Sequence, residues 1–375
     1  MYNVFMFDKY DRFDMEMRPK LPKLRLTAYL VALLSVLKHK GTITKIGMKG
    51  IKPPYILLAN HNAFMDINVL SVATFPHLQH YVIAIDGFIG REKLLRHIGG
   101  ICKRKFTQDF KLIDQIQYVI KKKRILAMFP EARYSLCGTK AIIPISVARL
   151  CRYLKVPVVM LKMHGHHINS PFWNLHDRKV KGIEAKLSCL INQEEIEKMS
   201  LEEVDKRIQD AFEYDEYAWQ LQNKKYVTYE GRAEGLHKVL YKCPHCLKEY
   251  KMSSKGIYLR CDNCGKAWEY TTLGKLKACE GETEFSHIPS WYEWEREEVR
   301  KEVEAGTYHF EGEVHVNMLP NAKKFIPIGK AYLVHDMNGY KLTGEFEGEK
   351  YEVILPANQT YGVHIEYEYL GKFGD

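Results

Sequence analysis

PYILLANHNAFMD (54–66) sets an uninterrupted apolar run against a polar stretch that carries a histidine and an aspartate five residues apart. On one continuous helix five residues advance about 500°, which leaves the His61 and Asp66 side chains about 140° apart. The two meet only if His61 sits on the turn before a helix and Asp66 lies one turn inside it. The apolar run reads as a buried strand, and the turn leaving such a strand is where catalytic groups collect.

Working outward, short apolar runs alternate with helical patterns from about Pro53 to Leu190. The strand candidates are YILLA (55–59), HYVIAI (80–85), RILAMF (124–129), VPVVMLKM (156–163) and IEAKLSCL (183–190). Between them, DFKLIDQIQYVIKKK spaces Phe110, Ile113, Ile116, Val119 and Ile120 by three and four residues, the pattern of an amphipathic helix, and PISVARLCRYLK (144–155) reads the same way. This alternation predicts an α/β fold, a mixed, largely parallel sheet with flanking helices. SLEE (200–203) is a capping box that opens a further helix, EVDKRIQDAF. YDEYAWQLQNKKYVTYEG (214–231) is aromatic and polar without clean periodicity and reads as a linker.

The remainder has another character. KCPHC and CDNCG, 14 residues apart, supply Cys243, Cys246, Cys261 and Cys264. Each C-x-x-C is a knuckle that gives two thiolates to one tetrahedral ion, so the pair reads as a closed, structural zinc ribbon with no open coordination position. WYEWEREEVRKEVEAG (291–306) is a charged helix stopped by glycine. The alternating runs YHFEGEVHV, KAYLVH, GYKLTGEF, KYEVILP and GVHIEYEYL follow and predict a small antiparallel β domain, with Asn338-Gly339 as a hairpin signal. The expected organisation is therefore an N-terminal helical segment (1–50), the α/β domain (51–225), the zinc ribbon (226–285), and a helix with a β domain (286–375).

The chain of 375 residues is 46% hydrophobic and 27% charged, a globular composition, and its net +10 hides a split. Residues 1–190 carry 32 Lys and Arg against 12 Asp and Glu, a net +20, while residues 191–375 carry 24 against 34, a net −10. A field of that sign suits anionic partners: a phosphorylated substrate, an anionic membrane surface or nucleic acid. LTAYLVALLSVL (26–37) is far shorter than the roughly 20 residues that span a bilayer, so no transmembrane helix is expected. Acidic Asp8, Asp11, Asp14 and Glu16 precede it, which argues against a signal peptide. Flanked by Lys20, Lys23, Arg25, Lys38 and Lys40, it suits either the membrane interface or an ordinary core. Nine cysteines, four of them in one metal-like cluster, point to a reducing, cytoplasmic location, peripheral at the inner face of the membrane.

Four blocks in the first half carry a resemblance: Asn60-His61 through Asp66, the glycine-led basic segment GGICKRK, FPEARYS, and Val156-Pro157 on a hydrophobic strand. In order and spacing they resemble the glycerolipid acyltransferases, the family of 1-acylglycerol-3-phosphate (lysophosphatidic acid) acyltransferases, across roughly residues 50–190. The resemblance implies transfer of a fatty acyl group from a thioester carrier, acyl-CoA or acyl carrier protein, to the free hydroxyl of a lysophospholipid. His61 would be the general base and Asp66 the group that fixes its tautomer, a triad with the substrate's hydroxyl in place of serine. It also implies substrate contacts from Asn60, from Arg104 or Lys105 (the count from Gly99 favours Lys105), from Glu131 and from Arg133. The chain departs from the family's Phe-Pro-Glu-Gly-Thr-Arg at three positions: Ala132 follows the glutamate, Arg133 comes one place early, and Tyr134 stands where the family has arginine. His164, His166 and His167 of HGHH admit a metal, a pocket-lining and a purely structural reading. A different class of function is a nucleic-acid- or protein-binding zinc ribbon on a vestigial acyltransferase fold. The intact His61 and Asp66 pair argues against it, and nucleic acid is disfavoured because Lys242, Lys248, Lys251, Lys255, Arg260 and Lys266 lie in an acidic half.

Overall fold

The computed structural model describes residues 10–15, 18–105 and 109–359. The chain runs through α1 (Arg25–Lys38), β1 (Thr42–Ile46), β2 (Tyr55–Ala59), α2 (Asp66–Thr74), β3 (Gln79–Ala84), α3 (Glu92–His97), β4 (Gly100–Lys103), α4 (Phe110–Lys121) and β5 (Ile125–Met128). It continues with α5 (Ser146–Leu154), β6 (Val158–His164), α6 (His166–Asn169), β7 (Glu184–Ile191), α7 (Gln193–Lys198), α8 (Leu201–Ala211) and α9 (Glu216–Gln222). Then come β8 (Met252–Lys255), β9 (Tyr258–Cys261), β10 (Ala267–Tyr270), β11 (Leu276–Ala278), α10 (Ile288–Glu304), β12 (His309–Met318), β13 (Ile326–Asp336), β14 (Gly339–Phe346) and β15 (Glu349–Pro356). Two compact units result. One holds residues 25–79 and 123–296, and the other holds residues 80–122, residues 297–359 and the described residues before 25.

In the second of these, β3 and β4 pair in parallel from Tyr81↔Gly100 to Ala84↔Lys103. The Asp109 side chain caps α4 by accepting the Leu112 N–H, and the helix buries Ile116 and Val119 as its spacing predicts, together with Leu112, while Ile113 and Ile120 are half-buried and Phe110 faces outward. Strands β12 to β15 form an antiparallel meander around Ile328, Ala331 and Tyr351. The hairpin lies one residue earlier than the Asn338-Gly339 signal suggests: Asp336 pairs with Gly339, so Met337 and Asn338 make the turn. The run GVHIEYEYL (362–370) lies outside the described residues.

The first unit carries a five-strand arrangement in the order β1-β7-β6-β2-β5. Strand β2 is parallel to both neighbours, with Ile56 opposite Val158 and Ile125–Met128 alongside Tyr55–Leu58. Flanked on both sides and covered on both faces, all five of its residues are buried, which is why YILLA is uniformly apolar instead of alternating. β7 runs antiparallel to β6 and parallel to β1, making the arrangement mixed but largely parallel. β1 escapes sequence recognition because four of its five residues are exposed. Ser200 caps α8 as the SLEE box requires, its side chain accepting the Glu203 N–H while the Glu203 carboxylate accepts the Ser200 N–H.

Residues 214–231, expected as a linker, contain α9 instead. Asp215 caps it through the Tyr217 and Ala218 N–H groups, and Tyr217, Trp219 and Gln220 are buried. At seven residues the helix is too short to display a hydrophobic period, yet it belongs to a core of this unit. That core joins Ile168, Phe172 and Trp173 to Tyr217 and Trp219, and these to Trp268, Tyr270 and Trp291 of the cysteine-rich part and α10. The chain crosses it at Gly235, whose φ is +86° and whose hypothetical Cβ would lie 2.0 Å from the Trp173 carbonyl oxygen. Gly235→Ala therefore combines a left-handed alanine with a backbone clash, and we expect a loss of at least about 2 kcal/mol, read as a lowered midpoint in denaturant unfolding.

Candidate active site

β2 ends at Ala59, and the next six residues turn into α2, whose first residue is Asp66. This brings His61 and Asp66 together as the spacing requires: His61 Nδ1 lies 2.9 Å from Asp66 Oδ2. The imidazole is about 20% exposed and the carboxylate fully buried. The ring stacks against Phe129 at 4.0 Å between centroids and meets Tyr134, tilted by 38°, at 4.2 Å. A carboxylate on Nδ1 places the proton there and leaves the Nε2 lone pair for a substrate.

Asp66 is the hub of the site. Its Oδ2 also accepts the backbone N–H groups of Asn62 (2.6 Å) and Ala63 (3.0 Å), which close the turn around it. Its Oδ1 lies 2.5 Å from Nδ1 of the wholly buried His166. Burial pushes the Asp66 carboxyl upward, but the hydrogen bonds and charge of His166 and His61 outweigh it and hold the group at about 2. The three histidines of HGHH have separate partners, which answers the metal reading. His164 Nδ1 pairs with Glu216 Oε1 at 2.9 Å, His166 binds Asp66, and His167 Nε2 faces the Tyr217 hydroxyl at 3.4 Å. Burial, reinforced by the Arg178 charge, pushes His167 down to about 3, so it is neutral.

Glu131 holds the turn from the other side. Its Oε2 accepts the His61 N–H at 2.8 Å, and its Oε1 accepts the Ala141 N–H at 2.8 Å and the Tyr214 hydroxyl at 3.4 Å. Burial lifts its carboxyl to about 7, against hydrogen bonds from Ala141, His61 and Tyr214 and the Arg133 charge. Glu131 thereby fixes the backbone of the candidate base. The next residue, Ala132, has φ +55°, a left-handed backbone. Arg133 is half-buried and makes no ion pair or hydrogen bond among the described residues.

Asn60 is fully buried, and its amide bonds both polar groups of the Met163 backbone, at 2.9 and 2.8 Å, tying the end of β2 to β6. Arg104 and Lys105 belong to the other compact unit, where Arg104 pairs with Asp109 at 3.1 Å and Lys105 with Asp86 at 3.4 Å. The groups missed by sequence reasoning are Tyr214 and Glu216, from the segment read as a linker. Glu216 is fully buried and accepts the Gly165 N–H at 2.8 Å and the His167 N–H at 3.2 Å. An aspartate cap before a Tyr-x-Trp stretch was the available signal.

In the same unit, the ligand atoms of Cys243, Cys246, Cys261 and Cys264 lie within 4.8 Å of one another. The two knuckles share a backbone form: Leu247 N–H bonds the Cys243 carbonyl, Gly265 N–H bonds the Cys261 carbonyl, and Leu247 and Gly265 have φ of +61° and +80°. Sulfur separations of 3.8 and 3.7 Å match the edge, about 3.8 Å, of a tetrahedron with metal–sulfur bonds near 2.3 Å. The cluster is thus compatible with a structural metal ion.

No protein-family model and no curated protein matches this chain. Among solved structures it has a distant likeness to the 1-acyl-sn-glycerophosphate (LPA) acyltransferase PlsC from Thermotoga maritima. The TM-score is 0.42 and the identity 15%, over 50% of this chain and 76% of that one.

The raised Glu131 carboxyl gives a signed expectation. Its folded value, about 7, exceeds its ordinary value of 4.5, so the folded state keeps the proton that the unfolded chain loses first. Stability contributed by this group declines as pH rises from 4.5 to 7 and is flat beyond. Relative to Glu131→Gln, whose lost hydrogen bonds are a constant offset, wild type should weaken by about 3 kcal/mol across that window, measured by denaturant unfolding at pH 4.5 and 7.5.

Proposed function

We propose that this protein is an acyltransferase that moves a fatty acyl group from a thioester carrier, acyl-CoA or acyl carrier protein, to the free hydroxyl of a lysophospholipid such as 1-acylglycerol-3-phosphate. One observation carries the reading: a partly exposed imidazole held on Nδ1 by a buried, ionised carboxylate, with no protein hydroxyl or thiol on its other nitrogen among the described residues. Ser135, the aliphatic hydroxyl of FPEARYS, donates to the Thr139 carbonyl at 2.6 Å instead. A dyad without its own nucleophile suits a reaction in which the substrate supplies it.

His61 Nε2 takes the acceptor's hydroxyl proton as the oxygen attacks the thioester carbonyl carbon. Asp66 stabilises the imidazolium that forms. The tetrahedral intermediate collapses with cleavage of the C–S bond, and the imidazolium returns the proton to the departing thiolate. The adjoining rings of Phe129 and Tyr134 limit water around the imidazole, and the half-buried Arg133 is the candidate for the acceptor's phosphate.

The surroundings suit lipids. A groove of about 460 Å³ has an apolar part, Leu34, Ala63, Phe64 and Met65, and is otherwise lined by polar and charged residues, Lys38 and Asp177 among them, so it shares the turn that carries the dyad. Leu26, Leu30, Val31, Leu34 and Leu37 of α1 and Phe64 are exposed apolar residues. No described helix is long and apolar enough to cross a membrane. We place the protein peripherally on the anionic inner face of a membrane, with α1 in the interface. The cysteine cluster holds zinc in a closed, structural role.

Purified protein given acyl donor and lysophosphatidic acid should transfer the acyl group. His61→Ala should lower kcat/KM by about 10² to 10⁴-fold, and full activity in that variant would leave the mechanism untenable. Metal analysis should find one zinc per chain, and Cys261→Ser should lose it together with thermal stability; an unchanged melting midpoint in the metal-free variant would refute the structural role.

A further inference from the structure

The HGHH segment places a second imidazole against the catalytic pair. We propose that His166 is a positioning residue of the acyl-transfer site, locking the Asp66 carboxylate in the orientation from which it holds His61. The inference rests on the acyltransferase reading given above.

Three observations carry it. First, the two oxygens of Asp66 divide their partners. Oδ2 serves the turn through His61 and the Asn62 and Ala63 N–H groups, while Oδ1 takes Nδ1 of His166. Without that donor, half of a fully buried anion would be left without a partner, and the carboxylate would gain freedom to rotate away from the imidazole. Second, the backbone on both sides of His166 is clamped by one buried carboxylate, Glu216, which accepts the Gly165 and His167 N–H groups. Gly165 has φ +90°, and a Cβ there would meet Ile183 at 3.1 Å and the Trp219 ring at 3.2 Å, so the turn that aims His166 requires glycine. Third, the remaining nitrogen of His166, Nε2, is buried and has no protein partner. Among the described residues, the only polar bond this wholly buried ring makes goes to the carboxylate of the dyad.

His166 does not take the substrate proton. It donates Nδ1–H to an acceptor that remains ionised, and its effect reaches the reaction through the geometry of Asp66 and His61.

The test compares His166→Phe, which keeps a ring and removes the donor, with His166→Asn, whose amide N–H falls near the place of Nδ1. His166→Phe should lower kcat about 10- to 100-fold with KM changed less than about threefold, and His166→Asn should recover most of the loss at equal or lower melting temperature. In proton NMR the wild type should show low-field N–H signals from both imidazoles on Asp66. His166→Phe should remove one and shift the other, which His61→Ala assigns. Wild-type kcat with an unshifted His61 signal overturns the proposal, as do losses in both variants that simply track melting temperature. Should His166→Phe not fold, His166→Gln replaces it, since its amide overlays Nε2, and equal kcat for Asn and Gln overturns the proposal. If wild type transfers no acyl group to any lysophospholipid, the acyltransferase reading fails separately, and the shift of the His61 signal still decides whether His166 orients that ring.

Discussion

A carboxylate removed entirely from water is costly unless donors replace its hydration, and Asp66 sits at zero exposure with four of them. That constraint explains much of the first unit. Two donors are backbone N–H groups of the turn, which fixes the turn's shape. A third is the candidate base. The fourth comes from His166, 100 positions away at the start of α6 just beyond β6, so the carboxylate cannot be satisfied until β6 lies beside β2. Asn60 reinforces the same junction by bonding both polar groups of the Met163 backbone. The site is therefore assembled by strand pairing, and the pairing is sealed by the site.

Glu131 and Glu216 repeat the device at its margins. Each is a buried carboxylate whose oxygens accept backbone N–H groups, Glu131 from His61 and Ala141, Glu216 from Gly165 and His167. Tyr214 links the first of them to Asn62, donating to the Asn62 side chain at 3.1 Å. Burial, then the Glu131 charge, raises the Tyr214 phenol well above its ordinary range, so it stays a donor. Tyr214 and Glu216 precede Tyr217 and Trp219 by a few residues, and those two rings belong to the core that also encloses Trp268 and Tyr270. The short α9 thus faces the dyad's supporting groups on one side and the core of the cysteine-rich module on the other. This gives a physical reason for the two to occur in one compact unit.

What could be read from the sequence divides along the same line. The five strand candidates lie within a residue or two of β2, β3, β5, β6 and β7: β2, β5 and β6 are apolar runs buried on both faces, and β7 begins with an alternation of exposed and buried residues. The His61 and Asp66 pairing was legible because it is a short-range consequence of strand, turn and helix. Four cysteines at knuckle spacing were equally plain. α9 was not legible, since seven residues hold too few turns to show a period, and its stability comes from tertiary burial of Tyr217 and Trp219. The role of His166 was not legible either, because nothing within HGHH says which of three histidines will meet a carboxylate 100 residues earlier. Asn60 and Glu131 were placed beside the substrate by resemblance, whereas their bonds go to backbone, a distinction that only coordinates make.

The FPEARYS turn has a physical account of its own. Ala132 holds a left-handed backbone, at a cost of about 1 kcal/mol, in the turn that delivers Glu131 to the His61 N–H. Tyr134 sets an aromatic ring, tilted by 38°, against the imidazole. A fixed cation there would disfavour an imidazolium at His61, whereas a phenol ring carries no such penalty and adds a contact that orients the imidazole. The positive charge of the block is carried by Arg133, half-buried and without an ion pair among the described residues. Neighbouring residues of one turn thus separate an aromatic contact on the imidazole from a cation.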